Sequence, residues 1–274
     1  MMANAQRTNI ILRADNVNLT LGGFPILRDL SVEVSDVVRP GVSTGQVVGF
    51  LGPSGVGKTK FFEILAGLLS PDTGRVQLGY PLQPVRAGMV GVVQQNYPLF
   101  SHRTVGSNLL LAARKRYPNG NEATDRMRDL MGRFGMADKL ELYPAQLSGG
   151  QRQRVAIAQQ LLCSEHFLLL DEPFSGLDIL MVEEVSEMIQ EIAHTHELNT
   201  IIIVSHDIVA TASVSDTVWL MGRDRDANGH VIPGARIKHT YDLAEVDLCW
   251  DKNILSKPAF QTLVNDIRAR FHSL

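Results

Sequence analysis

At 274 residues, with 45% hydrophobic and 20% charged residues, the chain can bury a sizeable core and has the composition of an ordinary soluble globular protein. The formal net charge of −3 gives no electrostatic reason to expect nucleic acid or an anionic membrane as a direct partner. Cys163 and Cys249 lack the spacing of a metal site, and we expect them to be packing residues in a reducing compartment.

The first third of the chain is expected to be rich in β structure. Residues 1–9 are polar, so we expect a flexible N-terminus without the apolar region of a secretory signal. TGQVVGFLGP predicts a buried strand that ends in a glycine-rich turn, and KFFEILAGLL behind it predicts a helix. Shorter β-rich runs predict further strands at NVNLTL, LRDLSVEV, GRVQL and GMVGVV.

The middle of the chain changes to a helical pattern. It runs from Thr104 to about Cys163, with an expected loop at YPNGNEAT. Strands and a helix then follow in the order FLLLD, LMVEEVSEMIQEIAH, TIIIVS and TVWLM. This order predicts an α/β fold with a mixed, partly parallel sheet and a helical insert. The uninterrupted apolar runs are far shorter than the roughly 18–20 residues of a membrane-spanning helix.

Past Met221 the pattern changes again. RDRDANGHVIPGARIKH predicts a long hairpin around Asn228 and Gly229. SKPAFQTLVNDIRARF predicts an amphipathic helix with Pro258 near its start. Its apolar face would be formed by Phe260, Leu263, Val264, Ile267 and Phe271. We expect this helix to pack on the domain rather than to bind a partner.

The segment GPSGVGKT carries the strongest functional signal. It fits G-x-x-x-x-G-K-[ST] between a predicted strand and a predicted helix, which is the context that a phosphate-binding loop requires. Its glycines allow backbone N–H groups to surround phosphate oxygens, and the helix N-terminus adds partial positive charge. Lys58 would reach the β- and γ-phosphates, and the Thr59 hydroxyl would bind Mg²⁺. The predicted nucleotide-binding residues are Gly52, Pro53, Ser54, Gly55, Val56, Gly57, Lys58 and Thr59.

Three other predicted strands also end in polar residues. FLLLDEP ends in Asp171 and Glu172, TIIIVSHD in His206, and GMVGVVQQ in Gln94 and Gln95. Ligands of an open parallel sheet collect beyond the carboxyl ends of its strands, so these side chains are expected to form one nucleotide–Mg²⁺ site. Asp171 would hold Mg²⁺, directly or through water, and Glu172 would orient or deprotonate an attacking water.

LSGGQRQR, from Leu147 to Arg154, predicts a second helix start suited to an anion. Ser148 offers a hydroxyl, and Gly149 and Gly150 offer unobstructed amides. The arginines could instead mark a nucleic-acid contact, but two of them in a mildly acidic chain are weak support for it. The second site could close over phosphates that the first loop cradles, and it need not belong to the same molecule.

LSGGQRQR between a phosphate loop and LLLDEP resembles the ATP-binding cassette (ABC) ATPases, over roughly residues 16–221. The resemblance implies a P-loop NTPase core with an N-terminal antiparallel β subdomain and a helical insert specific to the family. We expect the ATPase domain at residues 10–240, the insert at about 96–163, and a C-terminal extension at 241–274. The implied cofactors are ATP and Mg²⁺. In the family two cassettes pair head to tail, and each ATP lies between one phosphate loop and the other subunit's LSGGQ.

The resemblance also implies roles for individual residues. Glu172 would be the catalytic carboxylate, His206 would contact the γ-phosphate, and Lys58 would complete the phosphate contacts. Asp171 would help to hold Mg²⁺ together with Thr59. Gln95, preferred to Gln94 because of the register of the following QNYPLF, would sense Mg²⁺ and the attacking water. Contact with the partner's ATP, or communication between subunits, would involve Ser148, Gly149, Gly150, Gln151 and Asp178.

The sequence departs from the family where adenine is usually bound. The family often places an aromatic residue seven positions before the residue that corresponds to Arg28, and that position is Leu21 here. Phe24 lies three residues away. Leu21 would offer adenine only apolar contact, so we expect loose base selectivity.

The implied function is that of an ATPase subunit of a membrane transporter, similar to bacterial importer ATPases, at the cytoplasmic face of the cell (inner) membrane. The implied partners are a second cassette, separate transmembrane permease subunits and, for an importer, an extracytoplasmic solute-binding protein; nucleic acid is not expected. Residues 96–105, which include Tyr97 and Phe100, either line a groove for a helix of the membrane subunit or pack in the core. The alternative functions are a soluble ABC ATPase acting on nucleic acid or ribosomes, and a non-hydrolysing nucleotide-binding regulator.

Overall fold

A computed structural model describes residues 6–38, 45–164, 166–194, 199–246, 248, 249, 251, 253–271 and 274. Ten strands occur in the described part of the chain: β1 (Gln6–Leu21), β2 (Phe24–Val38), β3 (Gln46–Leu51), β4 (Thr73–Leu78), β5 (Gln83–Pro84), β6 (Val90–Val93), β7 (Phe167–Asp171), β8 (Thr200–Ser205), β9 (Thr217–Arg225) and β10 (Val231–Asp242). They form one sheet in the order β5-β4-β1-β2-β10-β9-β3-β8-β7-β6.

The same residues form seven α-helices: α1 (Lys58–Leu65), α2 (Val105–Arg116), α3 (Gly120–Arg133), α4 (Gly149–Cys163), α5 (Ile179–His194), α6 (Ile208–Val214) and α7 (Pro258–Phe271). Short 3₁₀ turns lie at Ala137–Lys139, Pro144–Gln146 and Ile254–Ser256. None of the described helices has both the length and the apolar character needed to span a membrane.

One half of the sheet is parallel and covered on both faces. β9, β3, β8, β7 and β6 are parallel neighbours, and all six residues of β3 are buried. Alternate residues of β3 face different cores: Val47 packs with residues of the helical insert and α5, whereas Val48 and Phe50 pack with α1. Strands that are covered on both sides need continuous apolar sequence, which VVGFL, FLLL and IIIV supply. The parallel half confirms the predicted fold class.

The other half of the sheet is mainly antiparallel. β1 pairs with both β2 and β4, and β10 pairs with β9, in antiparallel register. β10 joins the two halves through a parallel pairing of Ala235 with Leu27. The β9–β10 hairpin confirms the hairpin predicted around Gly229, which has a φ of 85°. The expected N-terminal β subdomain is therefore present as one end of the same sheet.

Side-chain caps set the start of each helix in the insert between β6 and β7. Thr104 accepts a hydrogen bond from the Ser107 amide at the start of α2, and Asn119 accepts one from the Asn121 amide at the start of α3. Buried residues such as Leu109, Met131 and Ile157 then join α2, α3 and α4 into the core beneath β7 and β8. The insert is therefore packed on the parallel half of the sheet.

The C-terminal helix α7 packs on the domain, as predicted. Phe260, Val264 and Ile267 are buried against residues of β9 and the segment after β10, and Leu263 and Phe271 are partly buried beside them. The Tyr241 hydroxyl of β10 donates a hydrogen bond of 2.7 Å to Asp266 of α7. This contact links the helix to the C-terminal end of β10.

Three local predictions need correction. Residues 6–9 are not a loose terminus, because they belong to β1, which pairs with β2. Arg7 also forms an ion pair with Asp242. Residues 1–5 lie outside the described residues. The loop predicted at YPNGNEAT covers less of the chain, because Asn119 caps α3 at Gly120. The domain boundary placed at residue 240 falls within β10.

Candidate functional site

The predicted phosphate-binding loop lies between the carboxyl end of β3 and the start of α1. Gly55 and Gly57 have φ values of 73° and 118°, which residues with a Cβ rarely adopt. A Cβ at Gly57 would also lie 3.1 Å from Ile26 Cγ2, so β2 closely supports the back of the loop. These left-handed φ values therefore favour glycine at both positions.

Lys58 is buried within the loop. Its Nζ donates hydrogen bonds to the carbonyl oxygens of Gly52, at 2.6 Å, and Pro53, at 3.0 Å. Burial lowers the pKa of Lys58, and the nearby carboxylates of Glu172 and Asp171 act in the opposite direction. The first helical residue of α1 therefore directs a positive charge into the loop.

Asp171 is the last residue of β7 and Glu172 follows it, next to β8 in the sheet. Burial, reinforced by the charge of Glu172, raises the pKa of Asp171, and Lys58 partly offsets this rise. Glu172 has a φ of 50°, a left-handed conformation that is uncommon for a residue with a Cβ. Its amide donates a hydrogen bond of 2.8 Å to the Val204 carbonyl, so β8 fixes the turn that presents the carboxylate.

His206 lies beside Glu172 at the end of β8. The distance from His206 Nδ1 to Glu172 Oε2 is 2.9 Å, and Ser205 Oγ lies 3.1 Å from the same oxygen. His206 is 59% exposed at its side chain, whereas Glu172 is 19% exposed. The structure thus brings the predicted catalytic carboxylate and the predicted γ-phosphate contact together at adjacent strand ends.

The predicted Mg²⁺ ligands Thr59, Gln95 and Asp171 line one cleft of about 660 Å³, which Gln94 also lines. Within the described residues, no group of three or more His, Cys, Asp or Glu side chains could hold a metal ion alone. Mg²⁺ usually takes one or two carboxylates together with phosphate oxygens and water. One carboxylate and one hydroxyl beside a phosphate loop fit that pattern, so the residues suit Mg²⁺ bound with a nucleotide.

Gln95 makes one contact that Gln94 does not. Its Nε2 donates a hydrogen bond of 3.2 Å to Ser175 Oγ in the loop that follows Glu172. Gln94 instead contributes its backbone carbonyl, which accepts from the Tyr97 amide at 3.0 Å. Both side chains are exposed at the cleft, and the preference for Gln95 remains a prediction.

The second predicted anion site carries a capping box formed by its own residues. Ser148 caps α4: its Oγ accepts from the Gln151 amide at 3.3 Å, and Gln151 Oε1 accepts from the Ser148 amide at 3.0 Å. Ser148 and Gly149 are exposed, whereas Gly150 is buried, where a Cβ would lie 2.5 Å from Met181 Cε. None of these residues is among those that line the cleft in the described part of the chain.

Asp178 and Leu21, which were also predicted to contact nucleotide, lie elsewhere. Asp178 is exposed, and its Oδ1 accepts from the Met181 amide in the first turn of α5. Leu21 pairs with Phe24 across the β1–β2 turn, and the two are 39% and 74% exposed. Both apolar side chains are therefore available at the same hairpin end, and the predicted role of Leu21 remains a prediction.

Comparison with known proteins identifies the family of the chain. The family model described as ABC transporter matches residues 36–175, which is half of the chain. The chain belongs to the ABC transporter family. A sulfate/thiosulfate import ATP-binding protein of Rhizobium meliloti is 35% identical over 219 residues, covering 77% of this chain and 57% of that protein. The corresponding protein of Vibrio cholerae is 36% identical over 221 residues, covering 78% and 56%.

Solved structures show the same fold as this ABC protein. cbiO1 of Clostridium perfringens, part of the ABC transporter complex cbiONQ, has a TM-score of 0.71 at 26% identity, covering 94% of this chain and all of that chain. The ADP conformation of an ATP-binding cassette of an ABC transporter has a TM-score of 0.69 at 22% identity, covering 96% and 99%. The α/β fold predicted from the sequence is therefore confirmed. The chain spans less than two thirds of the length of the curated relatives named above.

Two residues of this ABC protein contact the site but were not predicted. Arg223, on β9, donates a hydrogen bond of 3.1 Å from Nη2 to the Gly55 carbonyl. Ser205 contacts Glu172, as described above. Ser205 could have been found by asking what else ends β8, because it directly precedes His206. The contact of Arg223 with Gly55 depends on the register of β9, β10 and β2, which no short sequence motif indicates.

Proposed function

We propose that this ABC protein is an ATPase that hydrolyses ATP as a dimer and drives solute transport through separate membrane subunits. The observation that carries the proposal is the grouping of Lys58, Asp171, Glu172 and His206 at the carboxyl ends of adjacent parallel strands. A nucleotide-binding regulator without hydrolysis would not need this contact between a carboxylate and a histidine beside the loop.

The residues divide the chemistry between binding and proton transfer. Backbone amides of the loop and the Lys58 ammonium would hold the phosphates and stabilise the charge that develops on the transferred group. Thr59 and Asp171, together with Gln95, would hold Mg²⁺, which when bound neutralises charge on the β- and γ-phosphate oxygens. Glu172 would accept a proton from the attacking water as the oxygen of that water bonds to the γ-phosphorus and the bond to ADP breaks. His206 would donate to the γ-phosphate.

The dimer completes the site because the exposed start of α4 lies outside the cleft of its own chain. Ser148, Gly149 and Gly150 would act on ATP that is held by a second cassette. Ile179 and Leu180, at the start of α5, are 80% and 71% exposed, and their large apolar surfaces suit burial against that partner. ATP would then hold two copies together from both sides.

Contact with membrane subunits would involve the segment after Gln95. Tyr97 and Leu99 pack against the core, whereas Phe100 is exposed. Buried Asn108 holds this segment, since its Oδ1 accepts from the Phe100 amide at 2.8 Å and its Nδ2 donates to the Phe100 carbonyl at 3.1 Å. A held, exposed aromatic side chain suits the apolar face of a short helix of a permease. We propose peripheral attachment at the cytoplasmic face of the membrane on this ground.

The direction of transport is proposed from the relatives. Both curated relatives described above are named as import ATP-binding proteins, so we propose import for this chain, with an extracytoplasmic solute-binding protein as a further partner. Cargo recognition would belong to the membrane subunits and the binding protein, since the residues of the site recognise a nucleotide. The soluble alternative, acting on nucleic acid or ribosomes, is not favoured by these relatives.

Glu172→Gln in the full-length chain tests the proposal. The amide cannot accept the proton from water, so phosphate release should fall by roughly 100-fold or more, while ATP binding persists and an ATP-dependent dimer accumulates. Glu187→Gln, at an exposed position on α5, is the matched control and should hydrolyse ATP at the wild-type rate. Equal phosphate release by Glu172→Gln and wild type would refute the assignment.

The ATP-trapped Glu172→Gln dimer also tests for membrane partners. When it is used as bait in gently solubilised native membranes, it should retain a multi-span protein, and Phe100→Ala should weaken the recovery of that protein. Recovery of ribosomes or nucleic acid would favour the soluble alternative.

A further inference from the structure

The hydroxyl of Ser205 is completely buried between two partners. The residue ends β8, is 0% exposed, and lies one position before His206. Its Oγ accepts a hydrogen bond of 3.1 Å from the Asp207 amide and lies 3.1 Å from Glu172 Oε2. A backbone amide can only donate, and a hydroxyl has a single hydrogen. The Ser205 hydrogen is therefore directed to the Glu172 carboxylate.

Both side-chain contacts of Glu172 fall on the same oxygen. His206 Nδ1 and Ser205 Oγ each approach Oε2, at 2.9 and 3.1 Å. The Glu172 amide is held separately by the Val204 carbonyl, so two successive residues of β8 fix the backbone and the side chain of Glu172. With Oε2 occupied in this way, Oε1 is the oxygen that can accept a proton from water.

The two donors differ in how firmly they are held. His206 is mostly exposed and, in the proposed reaction, turns its ring to the γ-phosphate. Ser205 is enclosed, and its neighbour Asp207 caps α6 by accepting from the Ala210 amide at 2.9 Å. The strand end and the helix start therefore fix the position of the Ser205 hydroxyl. When His206 moves to the phosphate, Ser205 remains as the donor that holds the carboxylate.

We propose that Ser205 is a positioning residue that holds Oε2 of Glu172 and so presents Oε1 to the attacking water. This proposal rests on the proposed ATP hydrolysis. A purely structural role for Ser205 would use only its lone pair, which accepts from the Asp207 amide two residues later as in an ordinary serine turn. The direction of its hydrogen toward Glu172 is what a structural role leaves unexplained.

Ser205→Ala in the purified full-length chain tests the proposal. A lost hydrogen bond to a charged group should lower the kcat for ATP about tenfold, with the Kd for ATP within about twofold of wild type. Ser205→Thr keeps the hydroxyl and should recover most of the rate. Ser213→Ala is the matched control: its Oγ donates to the Ala210 carbonyl at 2.8 Å on the neighbouring α6 and does not touch Glu172. Melting temperatures report whether each variant is folded.

Testing Ser205→Ala in the Glu172→Gln variant separates a positioning role of Ser205 from a general loss of structure. In Glu172→Gln, where no carboxylate remains to be positioned, adding Ser205→Ala should leave the residual rate unchanged. An equal loss in both backgrounds, or an unchanged kcat for Ser205→Ala in the wild-type background, would overturn the proposal. Failure of the proposed function would look different, because Glu172→Gln itself would then hydrolyse ATP like the wild type.

Discussion

Two helix starts in this protein look alike in sequence but are built differently. α1 begins after GPSGVG and α4 begins after LS, and both offer glycine amides and a helix N-terminus to an anion. At α1, the cap is Gly57, and no side chain of the described residues hydrogen-bonds to the free amides of the first turn. At α4, Ser148 and Gln151 satisfy each other's amides in a closed capping box. The cap at α4 therefore engages the amides of Ser148 and Gln151 but not those of Gly149 and Gly150, whereas α1 has no side-chain cap.

Their surroundings differ in the same direction. The loop before α1 is supported by β2, accepts hydrogen bonds from the buried Lys58 side chain, and lies near the carboxylates of Asp171 and Glu172 at the end of β7. The start of α4 is exposed at Ser148 and Gly149 and has no cation buried within it. At α1, a phosphate displaces no side-chain cap and only draws the Lys58 ammonium from the Gly52 and Pro53 carbonyls. At α4, a ligand of the Ser148 hydroxyl competes with the hydrogen bond that Ser148 accepts from the Gln151 amide. We therefore expect ATP to bind first at α1 and to recruit α4 of a second copy afterwards.

The largest effect should come from removing the charge at α1. Lys58→Ala removes the ammonium that lies inside the loop, and we expect ATP hydrolysis to fall by roughly 100-fold or more, with weakened ATP binding. Lys60→Ala is the matched control, because its Nζ binds Glu63 on the same helix, at 2.9 and 2.8 Å, rather than the loop. It should keep nearly wild-type hydrolysis. Comparable losses in the two variants would show that the effect arises from helix stability and not from the cradle.

The next prediction separates the two starts between two molecules. Ser148→Arg blocks the start of α4, so Ser148→Arg and Lys58→Ala should each be inactive alone. In a mixed dimer, the loop of the Ser148→Arg chain meets the intact α4 of the Lys58→Ala chain, and one complete site is restored. Phosphate release should therefore reappear on mixing, at up to about half the wild-type rate in the mixed dimers. If mixed dimers form but release no phosphate, the two helix starts of one chain would instead act on the ATP bound to that same chain.

The sequence predicted the residues of the site better than the contacts from other elements that hold them in place. Lys58, Asp171, Glu172 and His206 each follow an apolar run, and parallel strands bring their carboxyl ends to one edge, so local patterns were enough to predict their meeting. Ser148 was also predicted at its helix start, because a serine before two glycines is a local signal. These predictions depend on a residue's distance from the end of its own element, which the sequence contains directly.

Contacts between distant elements could not be read in the same way. Arg223 reaches Gly55 because β9, β10 and β2 align Arg223 with Ala235 and Ala235 with Leu27, and strand register is set by the whole sheet. Residues 6–9 read as a loose polar terminus, yet β2 and the Arg7–Asp242 ion pair hold them in the sheet. In both cases the deciding partner lies more than a hundred residues away or on another strand.

The smallest effect should come from the support behind α1. Arg223→Ala removes the donor to the Gly55 carbonyl, and one hydrogen bond of this kind contributes about 1 kcal/mol. The Kd for ATP, measured by titration calorimetry, should therefore rise about fivefold. Arg225→Ala is the matched control, because Arg225 donates to Gly229 in its own hairpin turn, at 3.0 Å, and should leave the Kd unchanged. If Arg223→Ala also left the Kd unchanged, β2 and the glycine conformations alone would suffice to shape the cradle, and the contrast between the two helix starts would lie in their caps.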